Sequence, residues 1–453
     1  MLLADALAQD PEFLAAKQAL IEKTLSYSQK IDKIAPPKSS FVQSYEKTLQ
    51  EFEEIRGFPL FFPYLGSGMG NGALVELADG SVKYDLISGI GVHFGHCHPA
   101  ILSAGIDAAV QDIAMEGNLM QNRDAYSLAK LLCSSSGMDH CFLSSSGAIA
   151  NENGLKLAFQ KKASAHRLLA FENCFMGRTI TLSQITDRPQ FREGLPANLF
   201  VDYLPFYDWK DPMGSTERAI TTLKRHLERY PGEYVCICME MIQGEGGGYP
   251  GKTEFFMALI DILKKAGIAI FVDEIQTFGR TDCLFAFQHF GLQDVVDIVT
   301  VGKLLHTCAT LYSDAYRPKP GLLSQTYTAA TSSIRASLAI VQSLQEEGYL
   351  GLHGKNLQVR RLFVQRLQEI AERHPKLLSG PFGHGLIIAA TPFGGEREKV
   401  VQFTKALFDA GIISFVSGVN PVRIRFLVPV GGITEEGIVE VTKIMEEVLL
   451  ELR

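Results

Sequence analysis

Between roughly residues 100 and 330 the chain alternates short apolar runs with helical stretches, and that rhythm leaves it few ways to fold. Cys141-Phe-Leu-Ser144, Leu168-Leu-Ala-Phe171, Val235 to Met239 and Ile268 to Val272 read as buried strands. Ala150 to Lys162 and Glu254 to Lys265 read as helices between them. Strand–helix–strand repeats of this length predict a mostly parallel sheet with helices on both faces, and ligands at the carboxyl ends of the strands. Two apolar runs end in polar side chains that a core would not choose: Phe271-Val-Asp273 and, further on, Ile298-Val-Thr-Val-Gly302-Lys303. A carboxylate and a primary amine are therefore expected at the same sheet edge.

On either side of this region the pattern changes. The first 84 residues mix a helix around Tyr45 with Pro- and Gly-rich sequence, then a hairpin signal, Leu74 to Tyr84, turning at Asp79-Gly80. After about residue 335, long helices at Arg335 to Glu346, Leu357 to Glu372 and Glu435 to Leu452 flank short strands at Leu386 to Ala390 and Val422 to Val428. The expected division is an N-terminal segment 1–84 contributing to a small domain, a large domain 85–335, and a C-terminal α+β small domain 336–453. The 453 residues suffice for two cores.

A net charge of −7 and a pI near 5.9 argue against a nucleic-acid partner. No stretch approaches the apolar length of a membrane span, and the first ten residues lack a basic leader. The eight cysteines sit mostly in apolar runs with no C-x-x-C pair, which predicts reduced thiols and a cytoplasmic chain. In Gly95-His-Cys-His-Pro99 the spacing is too tight for a tetrahedral site, so no metal is expected.

Several strand ends carry further candidate chemistry. Ser144-Ser-Ser-Gly147-Ala148 joins a strand to a helix through small residues, so backbone amides at Gly147 and Ala148 can approach a phosphate. The plainer alternative is a serine-capped loop. Phe175-Met-Gly-Arg178 offers an aromatic face and a cation, although such residues alone are more often core and surface. Glu240 and Glu245 bracket a strand end before a run of glycines. In Val422-Arg423-Ile-Arg425-Phe, one of the two arginines is expected to face inward, where it suits a carboxylate. A desolvated lysine is nucleophilic, and an acid opposite a pyridine nitrogen holds it protonated. Lys303 and Asp273 together are what a pyridoxal phosphate (PLP) enzyme needs.

These motifs, from about Tyr84 to the C-terminus and in family order, resemble the class III aminotransferases of PLP fold type I, the group that includes ornithine, acetylornithine and 4-aminobutyrate aminotransferases. They are Gly95 to Pro99, Ser146-Gly147 with Asn151-Glu152, Phe175 to Arg178, Glu240 to Gly247, Asp273-Glu-Ile-Gln276, Gly302-Lys303 and Arg425 to Pro429. Gly147 to Phe159, Arg178 to Ser183 and Lys303 to Ala309 look most like L-lysine 6-aminotransferases. The resemblance implies an α/β fold, a PLP-dependent transaminase and a homodimer whose subunits share each active site. It implies that Lys303 is the Schiff-base lysine and proton shuttle, that Asp273 meets the pyridine nitrogen and Gln276 the ring hydroxyl, and that Phe175 stacks on the ring. Gly147 and Ala148 would give amides to the phosphate, and Thr328 would reach it from the partner subunit. Arg425 would bind a substrate carboxylate, Glu245 would pair with that arginine, and Arg178 is a second carboxylate candidate.

The sequence also departs from the family pattern. Ala148 stands where a hydroxyl residue is usual, Ile149 replaces an acid, and Met176 replaces a histidine. A glycine is missing after Gln276, and Ala330-Thr331 replaces a glycine pair. These changes bear on the substrate more than on the cofactor. The alternatives are an aminomutase or decarboxylase on the same scaffold, or a PLP-binding homologue without turnover.

Overall fold

The computed structural model describes residues 1–87 and 91–453. The chain divides into two compact units, residues 1–111 with 358–382 and 388–453, and residues 112–357 with 383–387.

The second unit is built on a seven-stranded sheet. Its strands are β1 (His140–Ser144), β2 (Arg167–Phe171), β3 (Phe200–Leu204), β4 (Tyr234–Met239), β5 (Ala269–Glu274), β6 (Ile298–Val301) and β7 (Cys308–Tyr312). They lie in the order β1-β7-β6-β5-β4-β2-β3. Every neighbouring pair is parallel except those made by β7, which runs antiparallel to both β6 and β1. The mostly parallel sheet matches the expectation from the sequence. Strand β4 is buried at every position, as a strand covered on both faces must be.

Helix Gly147–Lys161 shows how sequence sets packing. Ser146 caps it by accepting the Ile149 amide at 3.2 Å. Gly154 in its middle costs roughly 0.5–1 kcal/mol of helix propensity. A side chain there is excluded, because a Cβ would lie 2.5 Å from the Phe271 ring of β5. Burying that ring is worth roughly 1.5–3 kcal/mol, so close packing wins over propensity. Helix Thr253–Lys265 buries Phe255, Phe256, Leu259, Ile260 and Leu263 on one face and ends in Lys264-Lys265, which suit its negative pole.

The first unit holds two four-stranded sheets. In one, Gly66–Asn71, Leu74–Leu77 and Val82–Asp85 form an antiparallel meander, and Ile412–Ile413 joins it in parallel. The expected hairpin is present, with Gly80 at φ +77° and Asp79 accepting the Ser81 amide at 2.9 Å. The other sheet orders Leu378–Phe382, Ile387–Pro392, Arg423–Leu427 and Phe415–Ser417. Its core joins Phe363, Leu367, Phe403, Ile424, Phe426 and Met445 among others.

Candidate active site

At the carboxyl edge of the seven-stranded sheet, register decides which side chains meet. Strands β5 and β6 pair in parallel with Asp273 beside Thr300 and Glu274 beside Val301, so Lys303 emerges at the same edge as Asp273. Phe271 and Asp273 share a face because strand side chains alternate. That face meets helix 147–161, with Gly154 over Phe271 and Asn151 over Asp273.

Asn151 is the organising residue. Its amide nitrogen donates to Asp273 Oδ2 at 2.7 Å and to the Met176 carbonyl at 2.7 Å. Its oxygen accepts the Thr300 hydroxyl at 2.6 Å. The amide therefore has one orientation, with its donors toward the carboxylate. Asp273 Oδ1 accepts the Ile275 amide at 2.8 Å. Burial pushes the Asp273 acid upward, while the Ile275 and Asn151 hydrogen bonds and the Lys303 charge favour the anion. Neither Asn151 nor Thr300 had been given a role from the sequence; the available signal was a hydroxyl inside the run Ile298-Val-Thr300-Val301.

Lys303 begins a short turn after β6 and has φ +48°, and His306 has φ +68°. Left-handed backbone at residues with a Cβ costs roughly 1–2 kcal/mol and persists where the surroundings enforce it. Here antiparallel β7 returns the chain directly into the sheet, Val301 opposite Ala309. Gly302 is required, because a Cβ would meet Cys308 Sγ at 2.7 Å and Ile275 Cδ1 at 3.0 Å. Strand β7 was not foreseen, although Cys308-Ala-Thr-Leu-Tyr312 carries the apolar signal.

Gly147 also packs on Ile275, where an added Cβ would lie 3.0 Å from two side-chain carbons. Gly147 and Ala148 open their helix ahead of its first i→i−4 bond, Ala150 N to Ser146 O, and the first amides of a helix are suited to an anion. Phe175 is half-buried, with its amide donated to Glu240 at 2.9 Å. Gln276 is buried against Gly244, where a Cβ would fall 1.7 Å from the Gln276 oxygen.

Glu240 is buried. It accepts the amides of Phe175 and Gly244, and so fastens the aromatic loop to the glycine loop. Burial, then the nearby Asp273 charge, pushes its acid up to about 8, with a smaller contribution from Glu245. Glu245 is half-buried, and its carbonyl accepts Arg188. Arg178 is exposed, with its guanidinium 4.0 Å from the Phe191 ring centroid. Thr328 is buried and donates its hydroxyl to the Glu116 carbonyl at 3.1 Å. In the first unit, Arg423 and Arg425 are both buried, each 4% exposed. The expectation that one of the two faces inward is thereby corrected. Residues two apart on a strand share a face, and Ile424 takes the other.

The residues fit PLP. A buried carboxylate held by two donors, a lysine at the same edge, helix-opening amides and glycines where Cβ atoms would intrude are what a planar, phosphorylated cofactor requires.

The similarities to known proteins agree with this geometry. Acetylornithine aminotransferases from Corynebacterium efficiens and Caldanaerobacter subterraneus subsp. tengcongensis are 30% and 28% identical to the chain over 399 residues, covering 84% and 85% of it and 92% and 94% of their own lengths. A solved lysine aminotransferase from M. tuberculosis shares the fold with a TM-score of 0.79 at 20% identity, covering 89% of this chain and 100% of its own. An ornithine aminotransferase from Toxoplasma gondii ME49 does so with a TM-score of 0.77 at 21% identity, covering 90% and 95%. Residues 66–449 match the family model for class III aminotransferases. With Lys303 and Asp273 set at one sheet edge, the chain belongs to the class III aminotransferases, the PLP-dependent transaminases of fold type I.

Proposed function

We propose that the enzyme takes its amino group from an amino acid bearing a terminal amine and passes it to a 2-oxo acid such as 2-oxoglutarate. The observation that carries this reading is the Asn151–Asp273 pair at the same edge as Lys303. The acetylornithine, lysine and ornithine aminotransferases among its relatives are named for donors that carry such an amine. The aminomutase, decarboxylase and turnover-free alternatives find no support in these relatives.

Bound PLP supplies the electron sink that makes loss of the donor's C–H proton feasible. The chain's own residues do the rest. Lys303 would hold the cofactor, and its Nζ would be the base that takes the donor's proton and, as an ammonium, the acid that returns it. Asp273 would be the partner of the ring nitrogen; burial raises its acid, and the Ile275 and Asn151 donors and the Lys303 charge oppose that rise. Gln276 serves the ring hydroxyl, Phe175 the ring face, and the Gly147 and Ala148 amides the phosphate. Thr328 completes the phosphate site from the partner subunit of a homodimer. Arg425 takes a substrate carboxylate, Glu245 neutralises that arginine when a terminal amine is bound instead, and Arg178 offers a second carboxylate contact. A cytoplasmic setting is supported by the eight cysteines, all free thiols. Among the described residues no helix is long and apolar enough to cross a membrane.

The test is spectroscopic. The purified enzyme should show a visible band that borohydride abolishes. Ornithine, acetylornithine, lysine and 4-aminobutyrate, added singly, should include one that bleaches it. A panel in which none does so overturns the ω-amine reading. Lys303→Ala should lose the borohydride-sensitive band and at least about 10²-fold to 10⁴-fold of the rate, the range ascribed to a positioned acid–base group.

A further inference from the structure

Outside the cofactor edge, one cluster of metal-ligating side chains stands out among the described residues. Asp282, His289 and His384 each bring a ligand atom within 4.8 Å of the other two. They come from three separate pieces of backbone. Asp282 lies in the turn closed by the Gly279 amide on the Leu284 carbonyl at 2.8 Å. His289 ends the short helix Ala286–His289. His384 sits between Gly383 and Gly385.

We propose that these three residues form a binding site for a divalent transition-metal ion of the zinc class, with water in the remaining position. Two imidazole nitrogens and one carboxylate oxygen are the donor set such ions prefer. Ligands about 2.0–2.1 Å from a tetrahedral ion lie about 3.3 Å from one another. Side-chain rotation closes the difference from 4.8 Å, and the Asp282–His289 contact, now 2.5 Å, opens to meet it. The imidazoles of His289 and His384 are already neighbours, with centroids 4.3 Å apart. Side-chain exposures of 26% for His289 and 14% for Asp282 leave an entry path for the ion and its water.

The backbone beneath each ligand is fixed before any ion arrives. Gly385 has φ +54°, and a Cβ there would lie 2.2 Å from the Arg280 carbonyl. Only glycine lets this strip lie on the turn, where the Leu386 amide bonds the same carbonyl at 2.8 Å. Asn356 holds the Gly279 and Thr281 carbonyls at 2.9 and 3.0 Å, and the Gly351 amide holds Asp282 O at 2.7 Å. The helix carrying His289 is tied down by Glu274, which accepts the Ala286 and Phe287 amides. A site so supported loses little entropy on binding. The ion would tie residues 383–385 to the loop that follows Gln276, and so serve a structural role rather than the chemical step. Asp282, His289 and His384 share no motif spacing along the chain.

The experiment uses the PLP-loaded enzyme, stripped of metal with a chelator and dialysed against zinc chloride, with bound metal counted per chain. Cobalt(II) in place of zinc reports inner-sphere ligation through its visible ligand-field band. One zinc per chain is expected, weakened at least tenfold in His384→Gln and in Asp282→Asn, each losing the cobalt band. His140→Gln, in a half-exposed His–Asp pair elsewhere, should bind as wild type does. Circular dichroism and the cofactor band confirm that each variant is folded. Absence of zinc from the wild type, or undiminished binding in both variants, overturns the site and leaves a hydrogen-bonded Asp–His pair. Failure of the donor panel would leave this result untouched, so the two proposals fall separately.

Discussion

Asp273 and Glu274 are consecutive acids at the end of one strand, yet the two faces of the sheet put them to opposite use. On one face Asp273 accepts an Asn151 amide and its neighbour's backbone N–H, beside the charge of Lys303. On the other, Glu274 is 0% exposed and takes two backbone amides and the Thr277 hydroxyl, at 2.7–2.8 Å. Glu274 is a tie that fastens the following loop to the strand. Asp273 is held in place with the Lys303 charge as its neighbour. The difference shows how to separate a structural buried acid from a chemical one: burial is alike, and what differs is whether the donors around it close the shell.

The sharpest way to break the comparison is to neutralise each acid in turn. Asp273→Asn should lower turnover by about 10²-fold to 10⁴-fold with a nearly unchanged melting temperature, measured by donor-dependent product formation. Removing the support rather than the acid should cost less. Asn151→Ala leaves a buried carboxylate short of a donor, a loss of about 1–3 kcal/mol that corresponds to about 5-fold to 150-fold in rate if it falls on the transition state. A rate near wild type would show that Asn151 merely fills space. Glu274→Gln should invert the pattern, costing about 1–3 kcal/mol of stability in denaturant melts while the folded enzyme turns over normally. If it instead lost activity at unchanged stability, the division between the two faces would be wrong.

A last comparison concerns pH. Burial raises the Glu240 acid to about 8 from an ordinary 4.5. The folded chain then holds a proton that the unfolded chain releases. The resulting stability is fully present below about pH 4.5 and is lost as pH rises toward about 8. Relative to Glu240→Gln, the cofactor-free wild type should lose stability across that window, at no more than about 1.4 kcal/mol per pH unit. Urea melts giving parallel curves for the two proteins would contradict this.

Much of this site was legible in the sequence because strand ends are where a buried run must stop. Asp273 and Lys303 each break an apolar pattern, and the parallel rhythm already placed them at one edge. Asn151 and Thr300 were harder, because their roles depend on register between a helix and two strands that no local pattern encodes. The arginines of Val422 to Val428 were misjudged for a related reason: a cation every second residue looks amphipathic, while the strand is buried on both faces. The Asp282, His289 and His384 cluster left no trace at all, since its members are joined only by the tertiary path of the chain.

The return of β7 against β6 has a last consequence. Lys303 rides near the tip of a hairpin whose arms are locked into the middle of the sheet. Its reach is a matter of counting residues rather than of loop flexibility. Lengthening or shortening 302–307 by one residue would shift Lys303 relative to the sheet edge.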